Sequence, residues 1–62
     1  MLERIASHYK DNDETVYAYV YMNDETQMFE THFYDGVIME EPPVGLFMNM
    51  KDALSAALEW VK

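Results

Sequence analysis

The chain has no cysteine, so it can build neither a disulfide framework nor a thiolate metal site, and cysteine usage carries no information on redox compartment. It has only two glycines, too few for a glycine-rich loop that cradles a phosphate. Basic residues are scarce as well: Arg4, Lys10, Lys51 and Lys62 stand against twelve Asp and Glu, for a net charge of -8. Four dispersed cations cannot neutralise a phosphate backbone, so direct nucleic-acid binding is not expected. The same sign of charge argues against anionic membrane surfaces. Long apolar runs are also missing. The longest, residues 16–22, falls far short of the roughly 20 residues that span a bilayer. The opening MLERIASHYK is broken by charge and lacks the apolar centre of a signal peptide. A soluble cytoplasmic protein is the expectation.

What the chain does have is enough to fold. Half of its 62 residues are hydrophobic and 15% are aromatic, which is too rich for a disordered tail despite the charge. No linker, internal repeat or low-complexity tract divides it, so residues 1–62 are read as one domain. A chain of this size buries only about 60% of the surface that its unfolded form exposes. Its stability is therefore thin, and self-association would add to it.

The most informative stretch is TVYAYVYM, residues 15–22. Strand geometry sends alternate side chains to opposite faces, so Tyr17, Tyr19 and Tyr21 form one stripe with Val16, Ala18, Val20 and Met22 behind it. A hairpin to TQMFETHFY follows. With Asp24 and Glu25 at its tip, Val20 lies opposite Phe29, Ala18 opposite Thr31 and Val16 opposite Phe33. Tyr21 then meets Met28, Tyr19 meets Glu30, and Tyr17 meets His32. A slip of one residue would move Glu30 and His32 onto the aliphatic side, where burial traps a polar group.

Asp35 and Gly36 favour a two-residue turn with positive φ at both positions. That turn predicts a next strand at VIMEE, with Phe33 opposite Ile38 and His32 opposite Met39, ended by Pro42 and Pro43. The first segment reads as a strand rather than a helix. A four-residue loop at Asp11, Asn12, Asp13 and Glu14 pairs Tyr9 with Val16 and Ile5 with Val20, adding Ile5 and Tyr9 to the aliphatic face and Arg4, Ala6 and His8 to the other. The last element is a helix. Asn49 caps it, Asp52 stands in its first turn, and Met50, Ala53, Leu54, Ala57, Leu58 and Val61 form one apolar stripe. Val44, Leu46 and Phe47 are expected to plug the end of the core, and Trp60 to sit at the stripe's margin.

The expected fold class is thus α+β: a small antiparallel β-meander of three to four strands with one C-terminal α-helix packed on one face. Leaving the aliphatic face wet would cost about 1.5 to 3 kcal/mol per large side chain, so the helix is expected there. Tyrosine, with an apolar body and a polar tip, suits the face left open.

That open face carries the candidate partner-binding residues Tyr17, Tyr19, Tyr21, Met28, Glu30, His32, Tyr34 and Met39, with Glu40 and Glu41 beside them. Tyrosine and methionine are favoured at protein interfaces, where a few aromatic anchors dominate affinity. β-Propensity alone also favours tyrosine on strands, so the stripe has a purely structural explanation as well. Stacking of single-stranded nucleic acid on the rings would need a basic frame that the chain lacks. Mimicry of a duplex would need about fifteen charges over a domain roughly 25 Å across, whereas the acids are spread over separate loops.

His8 and His32 are expected two strands apart, about 10 Å, too far to share a metal. Glu30 and His32 lack a third ligand, and no nucleophile triad is present. No cofactor, metal or catalysis is expected. The reading is a non-enzymatic protein-binding module, an inhibitor or adaptor that occludes a basic surface of a partner protein. The alternatives are a homodimer joined through the tyrosine face and a small metal-binding protein.

Overall fold

The structure, a computed structural model, describes residues 1–36 and 42–62. Strands β1 (Leu2–Lys10), β2 (Asp13–Asn23), β3 (Met28–Asp35) and β4 (Val44–Phe47) form one antiparallel sheet in the order β1-β2-β3-β4, and helix α1 (Met50–Trp60) follows. This is the expected α+β meander with its C-terminal helix, and the first segment is a strand. No helix among the described residues is long and apolar enough to cross a membrane.

Helix α1 begins where its cap chemistry dictates. Asn49 has extended backbone (φ -135°, ψ 156°) and its side-chain oxygen accepts from the Asp52 amide at 2.9 Å. The Asn49 amide group donates back to the Asp52 carboxylate at 3.0 Å. The helix lays Ala53 and Ala57 on the sheet, both fully buried with Ala18 and Val20. Phe29, Phe33, Phe47, Leu54 and Ala6 pack around these four. Alanines at the contact let the two backbones approach closely. The buried Thr31 hydroxyl spans the gap and donates to the Ala53 carbonyl at 2.9 Å, so its burial leaves no unsatisfied group.

Trp60 takes the margin, its ring 5.2 Å from Phe33 and its indole N–H donating to the Tyr34 carbonyl at 2.8 Å. Contact through two small residues is narrow, however. Met50 and Leu58, expected in the buried stripe, remain 49% and 52% exposed.

Three expectations are corrected. First, the β2–β3 register is offset by two residues: Val20 faces Thr31, Ala18 faces Phe33, Tyr21 faces Glu30, Tyr19 faces His32 and Tyr17 faces Tyr34. The connection uses residues 24–27 instead of a two-residue tip. Asn23 organises it, its side chain accepting from the amides of Glu25 and Thr26 and its carbonyl from that of Gln27, which adopts φ 59°. An offset of two leaves every side chain on its expected face.

Second, β1 is slipped by one residue along much of its length. Asn12 turns the chain with φ 66°, Lys10 faces Asp13, and Tyr9, His8 and Ala6 face Tyr17, Ala18 and Val20. A one-residue slip reverses sides. Tyr9 therefore joins the tyrosine face, while Ala6 and His8 turn to the helix side. The register shifts again between Arg4 and Ala6, which returns Arg4 to the tyrosine face opposite Tyr21 and leaves Ile5, expected in the core, 39% exposed.

Third, β4 is built from Val44–Phe47, the residues expected to plug the core. Val44 holds the position opposite His32 that was assigned to Met39, and Leu46 lies opposite Glu30. Gly36 has φ 90° but Asp35 does not share the positive φ that a two-residue turn of that type requires. A side chain on Gly36 would also stand 2.7 Å from the Thr15 hydroxyl. The expected strand VIMEE, with Ile38 and Met39, lies outside the described residues.

Candidate interaction surface

Pairing across β1, β2 and β3 collects all five tyrosines of the chain on the sheet face opposite α1. Their rings make one pavement. Tyr17 and Tyr34 stack with centroids 4.5 Å apart and planes at 15°. Tyr19 touches both, at 5.1 and 5.6 Å, and meets Tyr21 edge-on at 6.4 Å. Tyr9 adds a further ring 5.5 Å from Tyr17, and its hydroxyl is 3.1 Å from that of Tyr19. His32 closes the other side against Tyr21 at 4.6 Å. Edge-on and offset contacts of this kind are favourable beyond the area they bury. Tyr17, Tyr19, Tyr21 and Tyr34 are half-buried because they shield one another, and Tyr9 is 51% exposed.

Polar groups are embedded in this floor with their partners in place. Glu30 accepts from the Asn23 side-chain amide at 3.0 Å and lies 3.2 Å from the His32 ring nitrogen. These contacts, Asn23 first, hold its carboxyl below the ordinary glutamate range. The Arg4 guanidinium lies over the Tyr19 ring, 4.9 Å from its centroid, within cation–π reach. The hydroxyl contact with Tyr19 raises the Tyr9 phenol above its usual value, and burial raises that of Tyr34.

The sequence-predicted residues Tyr17, Tyr19, Tyr21, Met28, Glu30, His32 and Tyr34 share this one face. Met39, Glu40 and Glu41 lie outside the described residues. Three members escaped the sequence reading. Tyr9 was hidden by the slip in β1; the readiness of Asn12 to adopt positive φ was the available signal for the tighter turn. Val44 and Leu46, 45% and 61% exposed, extend the face along β4. Pro42 and Gly45 beside them disguised that strand as a loop. Ala6 and His8, by contrast, leave the face. His8 and His32 are now on opposite sides of the sheet, and among the described residues no group of three His, Cys, Asp or Glu is placed to hold a metal ion.

Charge is uneven between the two ends of the sheet. At one end the N-terminal ammonium is 2.6 Å from Asp24 and 3.5 Å from Glu25, which offsets both acids. At the other end of the sheet Asp11, Asp13 and Glu14 stand around the β1–β2 turn with Lys10, and Asp35, paired with Val16, ends β3. The Asp13 carboxyl is held low by hydrogen bonds from the Thr15 hydroxyl and amide. The last turn of α1 reaches this same end, where Lys62 pairs with Glu59 at 2.9 Å. An open hollow there is lined by Tyr9 and Glu14.

No known family model matches the chain, and comparison with curated proteins and with solved structures returns no match either.

Proposed function

We propose that this chain is a non-enzymatic protein-binding module of the cytoplasm, an inhibitor or adaptor that covers a basic surface of a partner protein with its tyrosine face. The observation that carries the reading is the continuous pavement of five rings on a sheet face that α1 leaves uncovered. An exposed aromatic patch of this extent is unusual on a surface that only meets water. The molecule's broad face, 34 by 25 Å, can supply the roughly 800 Å² per partner that a standard interface buries. Tyr17, Tyr19, Tyr21, Tyr34 and the more exposed Tyr9 act as anchors, Met28, Val44 and Leu46 add apolar contact, and Glu30 and His32 set orientation. The net charge of -8 raises the encounter rate with a basic partner, an advantage that salt removes.

The test is capture of a partner from lysate of the source cells at low and high salt, with the intact protein and with a Tyr17→Ser, Tyr19→Ser, Tyr21→Ser variant checked for its fold by circular dichroism. A specific partner held by the intact protein, lost by the variant and weakened by salt supports the reading. Equal capture by both proteins overturns it.

A second reading, a homodimer through the same face, is favoured by the exposure of Leu46 and Val44 beside the rings and by a fully buried apolar core that, among the described residues, consists of Ala18, Val20, Ala53 and Ala57. The charge of -8 on each copy opposes it.

A further inference from the structure

The pavement has a chemical preference within that reading. Its rings already hold one guanidinium, that of Arg4 over Tyr19, so the spacing and tilt of these phenols suit a planar cation. Arg4 covers Tyr19, the ring at the centre of the floor. At one end of the floor Tyr9, Tyr17 and Tyr34 form a row across the strands with Tyr17 enclosed between the other two, so the ring of that row most open to a ligand is Tyr9, 51% exposed. That is the end of the sheet where Asp11, Asp13 and Glu14 stand around the β1–β2 turn, and where one open hollow is lined by both Tyr9 and Glu14.

A ring face and a neighbouring carboxylate are the two groups that a guanidinium engages together: it stacks on the first and donates paired hydrogen bonds to the second. Lysine's compact, strongly hydrated ammonium gains less from the stack. A second copy of this acidic chain would bring its own acids to the site, whereas a basic segment complements them.

We propose, building on the reading of the tyrosine face as a docking surface, that it takes an arginine-bearing segment of the partner, with a guanidinium over the exposed ring of Tyr9 and its N–H groups toward Glu14.

The experiment titrates the intact, isotope-labelled protein with a short alternating glycine-arginine peptide and with matched lysine and citrulline peptides, followed by amide NMR at low and moderate salt. The arginine peptide is expected to bind about three- to fivefold more tightly than the lysine peptide, with shifts centred on Tyr9, Glu14, Tyr17 and Tyr34. The neutral citrulline peptide is expected to bind far more weakly than either. Tyr9→Ser and Glu14→Gln change exposed side chains and so spare the fold; each should weaken the arginine peptide, and Glu14→Gln should also flatten its salt dependence.

Equal affinity for arginine and lysine, shifts centred on Asp24 and Glu25 or on α1, or no binding would each overturn the proposal. Failure of the peptide while the tyrosine variant still loses its captured partner would remove the arginine assignment and leave the docking surface standing. Failure of both would remove the docking surface too.

Discussion

Glu30 shows how a charged residue can sit in the middle of an aromatic floor. Its two carboxylate oxygens face Asn23 and His32, and its side chain is only 16% exposed. Because these contacts lower its pKa in the folded protein, the unfolded chain takes up a proton first as pH falls. The stabilisation is therefore complete above the ordinary glutamate value of about 4.3 and is lost as pH drops through the lowered folded value. Glu30→Gln should flatten the fall of Tm with pH over that acid window and leave its alkaline limb unchanged. A Tm profile measured from neutral to acidic pH, identical in shape for both proteins, would show that other carboxyls carry the acid sensitivity. Thr31 solves the related problem on the buried side with a single hydrogen bond to a helix carbonyl.

Among the elements, α1 was the most legible in the sequence. Its cap residue, its first-turn acid and its apolar spacing agree, and each has a local cause. Asn49→Ala removes the acceptor for the Asp52 amide and should lower stability by about 1 kcal/mol, readable as a shift in the urea midpoint at constant slope. An unchanged midpoint would mean that packing of Ala53 and Ala57 alone fixes the helix start. The sidedness of β2 and β3 was also legible, since alternation writes it directly. Their register was not: offsets of two satisfy the same alternation, and only the Asn23-centred loop decides between them. β1 was legible as a strand but misplaced by one residue, because pattern matching assumes an unbroken ladder. β4 was missed, since Gly45, which leaves room for the ring of Phe47, reads as a breaker. The candidate site inherits this history. Its centre on β2 and β3 was foreseen, while its borders on β1 and β4 came only from pairing.

For the molecule as a whole, charge and burial pull in opposite directions. A 7.3 kDa chain with exposed Leu46, Leu58 and Met48 gains by hiding them, yet a charge of -8 repels each copy from the next. Light scattering at low salt should give the monomer mass across a wide concentration range. A concentration-dependent doubling that Tyr19→Ser abolishes would instead assign the tyrosine face to self-association. The break in step between Arg4 and Ala6 bears on the same balance. A regular outermost strand offers neighbouring molecules a straight row of free amides and carbonyls, the template from which sheets grow end to end. Here a strand recruited alongside residues 6–9 falls out of phase on reaching Arg4, with its inward and outward side chains exchanged. The β1 border of the sheet is thereby a poor template for copying, which lowers the tendency of a thin, aromatic-rich protein to grow end to end along that side.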